Sequence, residues 1–569
     1  MYLLFTKTKY KRLFLFHLIF SSVGWYMFIM KFTLQELVSL GEVLKSVPCR
    51  TPNRLDVITE FTSAILSDVG GTSTNRQLIE INVNSEIDRF EISRACIDVV
   101  KWYIPLINET VHKYDGSSLC PTIAMPIDIT CCGKNIKILG RHATMNLYDI
   151  DSVKELRSYH GKCMNCKKSF YHGYCEDENG TRQFQTNWEV LLFTSGMAFT
   201  KRFMKYMDSM ICIGGTSFER ATNVYNHNTE GCQAPLNDER LEAAWFVYRI
   251  LQYVNVFPIW PRKPKSKELD IEELCRITYT NIKEQIDSKW IEHVCDDIGC
   301  KNRVVVIDGN EKLYRFVCGS EKVRVIGNVG EVNRYEQCIR NPVKGNKSTQ
   351  PMKYCQEHAG NKCSTTSEQL DIRPVTRLYA KSISNTITSE EGCKKPDAIN
   401  RFFDRTAGMF YVFRPCGIRL SHSEMYTCES CSDVFIHLLD SFGLEPDPKY
   451  IRLIAYDRAC DLHPFIARLS REGNAAAKLY EALDFVVDGF HVKKHTEEKC
   501  NINSNACIYH PDLPRYDQYK GMNTEIAEQS FNKLNMFKYS TRKMTYSRRL
   551  VFLKFLDDTV NTMIDAKNC

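Results

Sequence analysis

A chain of 569 residues exceeds what one hydrophobic core usually holds, so several domains are expected. With 43% hydrophobic and 25% charged residues, its composition is typical of globular proteins and excludes a disordered or collagen-like chain. The formal net charge of +7 is modest for this length, so it permits a polyanionic partner without requiring one.

The N-terminal segment, residues 1–30, contains an apolar run with more than one interpretation. The uncharged stretch from Leu13 to Met30 follows a basic segment and has about the minimum length that crosses a bilayer. It could be a signal anchor or an uncleaved signal peptide. A buried helix and an incorrectly predicted first exon are the alternatives, and a membrane segment is less favoured than these. Residues 31–117 form an N-terminal region without recognisable chemistry.

Twenty-five cysteines are the most unusual feature of the composition. They could form disulfides in a secreted protein or bind metal ions in a reducing compartment. Three spacings are typical of zinc-ligand pairs: Cys163-x-x-Cys166, Cys355-x-x-His358 and Cys428-x-x-Cys431. These spacings favour metal binding, and with it the cytosol or the nucleus.

Residues 118–185 are rich in cysteines and turns, which predicts a small zinc module. Cys163, Cys166 and Cys175 are the preferred ligands, with His172 or a more distant residue as the fourth. Residues 186–290 are predicted to be mostly helical, because NWEVLLFTSGMAFTKRFMKYMDSMICI and ERLEAAWFVYRILQYVNVF place apolar residues at three- and four-residue steps.

From about residue 300 the pattern changes to that of strands. KNRVVVIDGNEKLYRFVCG predicts a β-hairpin about a DGN turn. After a Cys- and His-rich interruption, GMFYVFRPCGIRL predicts a strand, CESCSDVFIHLLDSFG a helix and KYIRLIAYD a strand. HPFIARLSREGNAAAKLYEAL then predicts a helix, DFVVDGFHV a strand and the segment from about Asn523 a closing helix. The order β-β-β-α-β-α-β-α over residues 291–569 predicts an α+β domain with a ribonuclease H-like core, a mixed sheet covered by helices.

Acidic residues end two of the buried strands. Asp308 follows VVVI and Asp457 follows LIAY, so both are expected at the sheet edge; a turn-forming aspartate is the alternative for Asp308. On the last helix, with Asn523 as N-cap, Glu525 falls in the first turn, where the helix dipole already favours it. Glu528 is therefore the preferred third carboxylate, and a solvated surface glutamate is its alternative. Nucleases of this fold hold two Mg²⁺ or Mn²⁺ ions between such carboxylates, because hard ions need oxygen ligands.

Several segments, in this order, resemble the Kyakuja-Dileera-Zisupton (KDZ) transposases and the CxC cysteine-cluster proteins associated with them. They are VVVIDGNEKLYRFVC, Tyr354-Cys355-x-x-His358, YDRACDL, DFVVDGFHVKKHTEEKC and MNTEIAEQSFNKL. GRHATMNLYDIDSV, the following Cys-x-x-Cys and FTSGMAFTKRFMKYM resemble the region upstream of the core in these proteins. The resemblance covers roughly residues 120–556.

The resemblance implies a cut-and-paste DDE transposase that cleaves and joins DNA at transposon ends. Its catalytic triad would be Asp308, Asp457 and Glu528, and the Asp-x-x-His motif formed by Asp488 and His491 would support the active site. Double-stranded DNA, a possible homo-oligomer and a nuclear location are implied as well. The alternatives are a domesticated or inactive derivative that binds DNA or protein, and a membrane-anchored, disulfide-bonded protein, which rests only on the N-terminal apolar run.

A second group of possible metal ligands surrounds the first predicted strand pair: Cys295, Cys300, Cys318, Cys338, Cys355, His358 and Cys363. Within it, the segment at about 318–363 resembles a knuckle inserted in the family, so Cys338, Cys355 and His358 are the preferred zinc ligands, with Cys318 the fourth by position. A third site from His491, His495, Cys500 and Cys507 is less favoured, because the Asp-x-x-His motif competes for His491. For Cys428 and Cys431, two buried structural thiols are the more favoured interpretation.

The segment Gln529–Leu556, beyond Glu528, contains seven lysines and arginines, no acidic residue and interleaved aromatic residues. A solvated helix face is the common explanation of such a run. Its position after the proposed catalytic helix instead predicts phosphate neutralisation near the carboxylates, without sequence specificity. Five of its residues are predicted DNA contacts: Lys538, Arg542, Lys543, Arg548 and Arg549. Sequence-specific recognition would then fall to the upstream zinc module.

Overall fold

The computed structural model describes most of the chain from residue 122 onward. The described residues are 122–124, 126–128, 130–229, 234–263, 268–318, 323–326, 333–336, 340, 405–425 and 429–568. Two compact units contain the described residues of 122–207 with 222–269 and of 208–221 with 270–568. The apolar run at 13–30 and the region 31–117 lie outside the described residues, and the predicted domain boundaries stay predictions.

Among these described residues, no helix has the length and apolarity needed to cross a bilayer.

The first unit is built on a nine-stranded sheet. The strands of this unit are β1 (Thr122–Ala124), β2 (Thr130–Cys131), β3 (Lys134–Asn135), β4 (Lys137–Tyr148), β5 (Val153–Lys162), β6 (Ser169–Tyr171), β7 (Tyr174–Glu176), β8 (Arg182–Phe184), β9 (Val190–Thr194), β10 (Met197–Thr200) and β11 (Val256–Phe257). The sheet order is β11-β8-β7-β6-β5-β4-β10-β9 with β1 beside β5, and β2 and β3 form a separate hairpin. Its central core consists of Ala124, Met145, Leu147, Leu156 and Ala198.

Strands β9 and β10 lie where the sequence predicted helix. They pair antiparallel with each other, and β10 pairs parallel with β4. The helical prediction for VLLFT and MAFT was wrong, because a short apolar run fits a buried strand as well as a helix. The helices of this stretch are α1 (Lys201–Cys212), α2 (Phe218–Asn228) and α3 (Asp238–Ile250).

The second unit contains a five-stranded mixed sheet and most of the described helices. Its elements are α4 (Ile271–Ile291), α5 (Ile298–Lys301), β12 (Val304–Asn310), β13 (Val323–Ile326), β14 (Asn333–Glu336), β15 (Gly408–Phe413), β16 (Arg419–Met425), α6 (Cys431–Phe442), β17 (Leu453–Tyr456), α7 (Ala459–Arg471), α8 (Ala475–Glu481), β18 (Asp484–Val486), α9 (Ile526–Leu534), α10 (Lys538–Arg542) and α11 (Tyr546–Asn568). Short 3-10 turns occupy Val492–Lys494, Glu498–Cys500, Pro514–Tyr519 and Asn535–Phe537. The predicted mixed α+β character is confirmed.

The five strands are arranged in the order β16-β15-β12-β17-β18. β12, β17 and β18 run parallel, whereas β15 runs antiparallel to both of its neighbours, β12 and β16. β12 is central because its apolar run, residues 304–307, is completely buried between neighbouring elements. The carboxyl ends of the three parallel strands therefore meet at one edge of the sheet.

The predicted hairpin about the DGN sequence is wrong. β12 continues through Asp308 and Gly309 to Asn310, and these residues pair with β15. Pairing with a distant strand thus overrides the local turn propensity of Asp-Gly-Asn. The second and third strands of the sheet are β15 and β16, which form a hairpin around the turn 414–418, where Gly417 has a φ of 101°.

The long segment between β12 and β15 begins and ends at one point of the sheet. An isolated antiparallel bridge joins Phe316 to Arg405. Its described strands, β13 and β14, pair with each other in a separate two-stranded sheet. The segment is therefore an insertion whose two ends are neighbours.

Helix α11 is bound to the sheet through buried ion pairs. Glu424 of β16 lies 2.6 Å from both Arg315 Nε and Arg549 Nη1, and all three side chains are excluded from solvent. A second buried pair joins Arg419 Nη1 to Asp557 Oδ1 at 3.1 Å. Each charge buried in this region thus has an opposite charge beside it.

Candidate functional site

Asp308 and Asp457 lie side by side at the carboxyl end of the parallel strands. Ile307 of β12 is in register with Tyr456, the last residue of β17, and an aspartate follows each of them in the chain. The Asp308 carboxylate accepts the N–H of Gly309 at 2.7 Å. The structure therefore brings together the two acids that the sequence placed at separate strand ends.

The electrostatics of this edge are those of crowded, half-buried acids. Burial raises the pKa of Asp308 well above its usual value, and the charges of Glu429, Asp457 and Glu528 add to the effect in that order. Burial also raises the pKa of Asp457, although the nearby His491 charge opposes it. Several acids compete for one small volume, which is typical of functional sites.

Glu429 belongs to the same edge and was missed in the sequence. Burial, followed by the charge of Asp457, raises the pKa of Glu429 to about 8. A methyl group placed on Gly309 would lie 2.8 Å from Glu429 Oε2, so the carboxylate sits directly against the backbone beside Asp308. Arg458 Nη1 donates to the Glu429 carbonyl oxygen at 3.2 Å and fixes this stretch of backbone.

The Asp-x-x-His motif lies in a turn, not on a strand as predicted, because β18 ends at Val486. Asp488 Oδ1 accepts the backbone N–H groups of Phe490 and His491, both at 2.9 Å. Asp488 Oδ2 lies 2.7 Å from His491 Nδ1, and this hydrogen bond raises the pKa of the imidazole. Because Asp488 occupies Nδ1, Nε2 is the ring nitrogen left for another partner.

Glu528 lies in the first turn of α9 and is exposed. The N-cap is Glu525, not Asn523, whose side chain instead accepts the N–H of Glu525 at 3.1 Å. The helix dipole therefore favours Glu528 as well, and the reason given from the sequence for preferring it does not hold. What distinguishes Glu528 is that its charge helps to raise the pKa of Asp308.

Helix α9 is anchored to this edge from two directions. Thr524, just before the helix, accepts the N–H of Gly489 in the Asp-x-x-His turn at 2.9 Å. On its other side, the Phe531 ring packs edge-on against Tyr411 and Phe413 of β15, with ring centroids 6.1 and 5.8 Å apart. These contacts hold the start of the helix, and with it Glu528, beside the strand ends.

The donor set of this edge fits hard divalent cations. Asp457 Oδ1 and Glu429 Oε1 are buried and have no hydrogen-bond partner among the described residues. A buried anionic oxygen without a partner is costly, and a cation would compensate it. Among the described residues, no group of three or more that includes a carboxylate has all its ligand atoms within 4.8 Å of one another. An ion here would complete its shell with water and phosphate, as Mg²⁺ usually does.

Three groups of Cys and His side chains do meet this criterion in the described part of the chain, with all ligand atoms within 4.8 Å of one another. They are Cys131, Cys132, Cys163 and Cys166; His293, Cys295, Cys300 and Cys416; and Cys460, His495 and Cys500. Thiolate sulfur and imidazole nitrogen are the preferred ligands of zinc, so these groups suggest structural metal binding.

The first group contains two of the predicted zinc ligands and two that were missed. Cys163 and Cys166 meet Cys131 and Cys132, and the Sγ atoms of Cys131 and Cys166 are 3.4 Å apart. Cys175, on β7, lies outside the group, as does His172. The signal for the missed pair is the sequence Cys-Cys-Gly between two short strands.

Backbone geometry supports this first group as a metal knuckle. Cys132 and Gly133 are both left-handed, with φ values of 51° and 72°, so the chain turns tightly between β2 and β3. The backbone N–H of Cys166 is the largest influence on Cys163 and lowers its pKa to about 7. N–H groups aimed at a sulfur stabilise the thiolate that a metal requires.

The structure describes only three members of the predicted ligand group around the first strand pair: Cys295, Cys300 and Cys318. Cys318 is buried, and its N–H donates to the Arg340 carbonyl oxygen at 2.8 Å. Cys295 and Cys300 group with His293 and Cys416 instead of with Cys318. The other residues of this prediction lie outside the described residues: Cys338, Cys355, His358 and Cys363. Cys428 lies outside them too.

The third group lies immediately after Asp457. Cys460 Sγ is 3.5 Å from His495 Nδ1, and Cys500 Sγ is 3.4 Å from the same nitrogen. Of the four ligands considered from the sequence, His495 and Cys500 are members, whereas Cys507 and His491 are not. His491 is held by Asp488 and belongs to the carboxylate edge.

The predicted DNA contacts separate into buried and exposed residues. Arg549 is completely buried against Glu424, so its prediction as a DNA contact is wrong for this structure. Arg548 is half-buried, and its charge acts on Glu272, which is half-buried as well. The periodicity of the sequence could not reveal which of these arginines are buried, because the carboxylates that pair with α11 come from distant segments.

The remaining basic residues form a surface with aromatic neighbours around α10. Lys543 is exposed, and Lys538 is half-buried with its ammonium group 4.9 Å from the Tyr539 ring. The Arg542 guanidinium stacks between Tyr314 and Tyr539, 4.1 and 4.9 Å from their ring centroids. Tyr539 is 68% exposed, so the surface offers both positive charge and a stacking ring.

Comparisons with known families divide the chain in a similar way. Residues 301–561 match the family model described as Kyakuja-Dileera-Zisupton transposase. Residues 116–229 match the model described as CxC5 like cysteine cluster associated with KDZ transposases. No curated protein and no solved structure matches the chain.

Proposed function

We propose that the protein is a DDE transposase, because residues 301–561 match the family model described as Kyakuja-Dileera-Zisupton transposase. It would cleave DNA strands at transposon ends and join them to target DNA. The observation that carries the proposal is the register of β12 and β17, which sets Asp308 beside Asp457 at one sheet edge. The sheet order β16-β15-β12-β17-β18 supports a ribonuclease H-like core.

The proposed triad is Asp308, Asp457 and Glu528, with Glu429 as an additional carboxylate. Two Mg²⁺ or Mn²⁺ ions held there would activate a water or 3′-hydroxyl nucleophile and neutralise the leaving oxygen. Asp308 and Asp457 provide rigid oxygen ligands because each directly follows a buried run of its strand. Glu528 approaches from α9 and closes the site from the side of the helix.

His491 is proposed to contact the scissile strand. Asp488 holds Nδ1, so a protonated imidazole would present its Nε2–H to a phosphate oxygen. The same hydrogen bond favours the protonated form, since it raises the pKa of His491. His491 is thus a positioning residue for the phosphate, and Asp488 sets its orientation.

The proposed partners follow from this chemistry. Double-stranded DNA would lie along the surface formed by Lys538, Arg542 and Lys543, which adjoins α9. A homo-oligomer is expected because two transposon ends must be paired, and a nuclear location follows from a DNA substrate. Zn²⁺ held by Cys131, Cys132, Cys163 and Cys166 would stabilise the upstream module. To this module we assign recognition of the transposon ends.

The direct test is strand cleavage of transposon-end duplex DNA by the purified full-length protein in Mg²⁺ or Mn²⁺. Asp308→Asn, Asp457→Asn and Glu528→Gln are expected to reduce the rate about 10³-fold or more, since each removes charge from the transition-state machinery. Glu525→Gln is the matched control, because Glu525 is an exposed acid at the start of the same helix. It should cleave at the wild-type rate.

Two results would count against the proposal in different ways. A folded, zinc-loaded wild-type protein that cleaves none of its own transposon ends with either ion would overturn the enzymatic function. Equal losses in Glu525→Gln and Glu528→Gln would leave the two aspartates in place and remove Glu528 from the triad.

A further inference from the structure

One of the three Cys/His groups lies at the opposite end of the five-stranded sheet from the carboxylates. It consists of His293, Cys295, Cys300 and Cys416. Cys416 is in the turn between β15 and β16, which follows Phe413. Phe413 pairs with Val306, whereas Asp308 pairs with Tyr411, so the turn lies beyond the amino end of β12. The group therefore belongs to neither the triad nor the upstream cysteine module.

Three separate segments contribute to this group. His293 and Cys295 follow α4, Cys300 lies in α5, and Cys416 comes from the β15–β16 turn. His293 Nε2 is 3.5 Å from Cys416 Sγ, and all four ligand atoms lie within 4.8 Å of one another. We propose that His293, Cys295, Cys300 and Cys416 bind a structural zinc ion. Three thiolates and one imidazole are a usual donor set for tetrahedral Zn²⁺.

The surroundings of the group are those of a built metal site. His293 Nδ1 lies 3.1 Å from Asp565 Oδ1, so one ring nitrogen is occupied by a carboxylate while Nε2 faces the sulfurs. A carboxylate that orients the imidazole in this way is the usual outer partner of a zinc-bound histidine. A side chain at Gly299 would overlap the Pro415 ring, so the residues next to Cys300 and Cys416 pack directly against each other.

A buried cation also lies next to the sulfurs. Arg414 is fully buried, and its guanidinium donates to the carbonyl oxygens of Val304 and Ile291 at 3.2 and 3.0 Å. Arg414 is two residues before Cys416, in the same turn between β15 and β16. A zinc ion with three thiolates and a neutral imidazole carries one net negative charge, which this guanidinium balances.

The consequence for the fold is a cross-link at the start of the central strand. The ion would join the end of α4, α5 and the β15–β16 turn, and α5 leads directly into β12. It would thereby fix the register between β12 and β15 at one end, while Asp308 lies toward the other end of the same strand. Metal binding at such a site adds to folding stability.

Thiol protection in the wild-type protein gives the first test. The full-length protein, loaded with Zn²⁺ alone, is treated with N-ethylmaleimide before and after removal of the metal by a chelator. Cys295 and Cys416 are partly exposed, so both are expected to react only after chelation. Cys175, also partly exposed and outside every Cys/His group, should react in both conditions. Peptide mass spectrometry assigns each modified thiol.

Substitutions give the second test. Cys416→Ser and His293→Gln are each expected to lose one zinc equivalent per chain, measured by elemental analysis. Cys275→Ser, at a buried cysteine of α4 outside the group, should lose none. Asp565→Asn keeps all four ligands and should release zinc to a competing chelator about 10- to 100-fold more readily.

Two outcomes would overturn the zinc site. One is equal modification of Cys295 and Cys416 before and after chelation. The other is an unchanged zinc content in both Cys416→Ser and His293→Gln. If either variant does not fold, the wild-type protection result decides, because it requires no substitution. All of these readouts are independent of DNA cleavage, so they stand whether or not the transposase proposal does.

Discussion

Two regions of the second unit bury charge in opposite ways. Between β16 and α11, Glu424 lies between Arg315 and Arg549, and every buried charge has an opposite charge beside it. Near the ends of β12 and β17, Asp457 and Glu429 each bury a carboxylate oxygen that has no hydrogen-bond partner among the described residues. A buried carboxylate oxygen without a hydrogen-bond partner is expensive, so a fold keeps it where an ion or a substrate uses it. The comparison separates charge that stabilises this domain from charge that functions in it.

The largest expected effect on stability comes from breaking the paired region. Arg549→Met should lower the free energy of unfolding by about 3–5 kcal/mol, because it leaves Glu424 buried with one fewer cation. Urea unfolding followed by circular dichroism measures the change. Lys543→Met, in the same basic segment but exposed, is the control and should change stability by less than about 0.5 kcal/mol. Equal effects of the two substitutions would remove the distinction between buried and exposed basic residues.

At the carboxylate edge, the expected effect on the free energy of unfolding is smaller and depends on pH. The pKa of Glu429 is raised to about 8 in the fold, above its value in the unfolded chain. The protonated form therefore stabilises the fold below about pH 4, and this contribution is lost as the pH rises toward 8. The metal-free protein should lose about 3 kcal/mol between about pH 5 and pH 8 through this group. Asp308, Asp457, Glu311 and Arg458 are the charged groups around it.

Glu429→Gln is the matched variant for this measurement. It should flatten the pH dependence of urea unfolding, and Mg²⁺ should restore stability at about pH 8 in the wild type more than in the variant. If the free energy of unfolding depends on pH equally in the wild type and in Glu429→Gln, Glu429 does not titrate with the raised pKa given above.

The smallest expected effect concerns the exposed charges. Lys543→Ala should weaken DNA binding about 2- to 5-fold and reduce the salt dependence by about one released ion, without affecting the fold. Fluorescence anisotropy with a labelled duplex at several salt concentrations measures both quantities. Lys567→Ala, near the other end of α11, should bind like the wild type. Equal losses in both variants would place the DNA elsewhere.

The aspartates of the site were predictable from the sequence, because they depend on local pattern. Asp308 and Asp457 each follow a short apolar run, and the carboxyl ends of parallel strands meet at one edge. Glu429 was not predictable in this way. It lies directly before the N-cap Ser430, where the helix start accounts for the polar residues without invoking a site. Only the approach of the β12 backbone at Gly309 shows its position.

The metal groups were predictable where their ligands are close in sequence. Cys163 and Cys166 form one tight turn, and the sequence paired them. His293 and Cys416 meet only because β15 and β16 turn at the amino end of β12. Spacing carries no information about such a contact, since it depends on sheet topology. The same reason explains the wrong hairpin at Asp308, whose partner strand begins at Gly408.

The bridge between Phe316 and Arg405 has a consequence for how well this sheet tolerates a change in the length of the insertion. Because the insertion leaves and returns through adjacent residues, its length does not change the distance between the points where it joins β12 and β15. The entropy of closing such a loop grows only with the logarithm of its length. Insertions can therefore lengthen, shorten or be exchanged at this position while the strand that carries Asp308 keeps its neighbours.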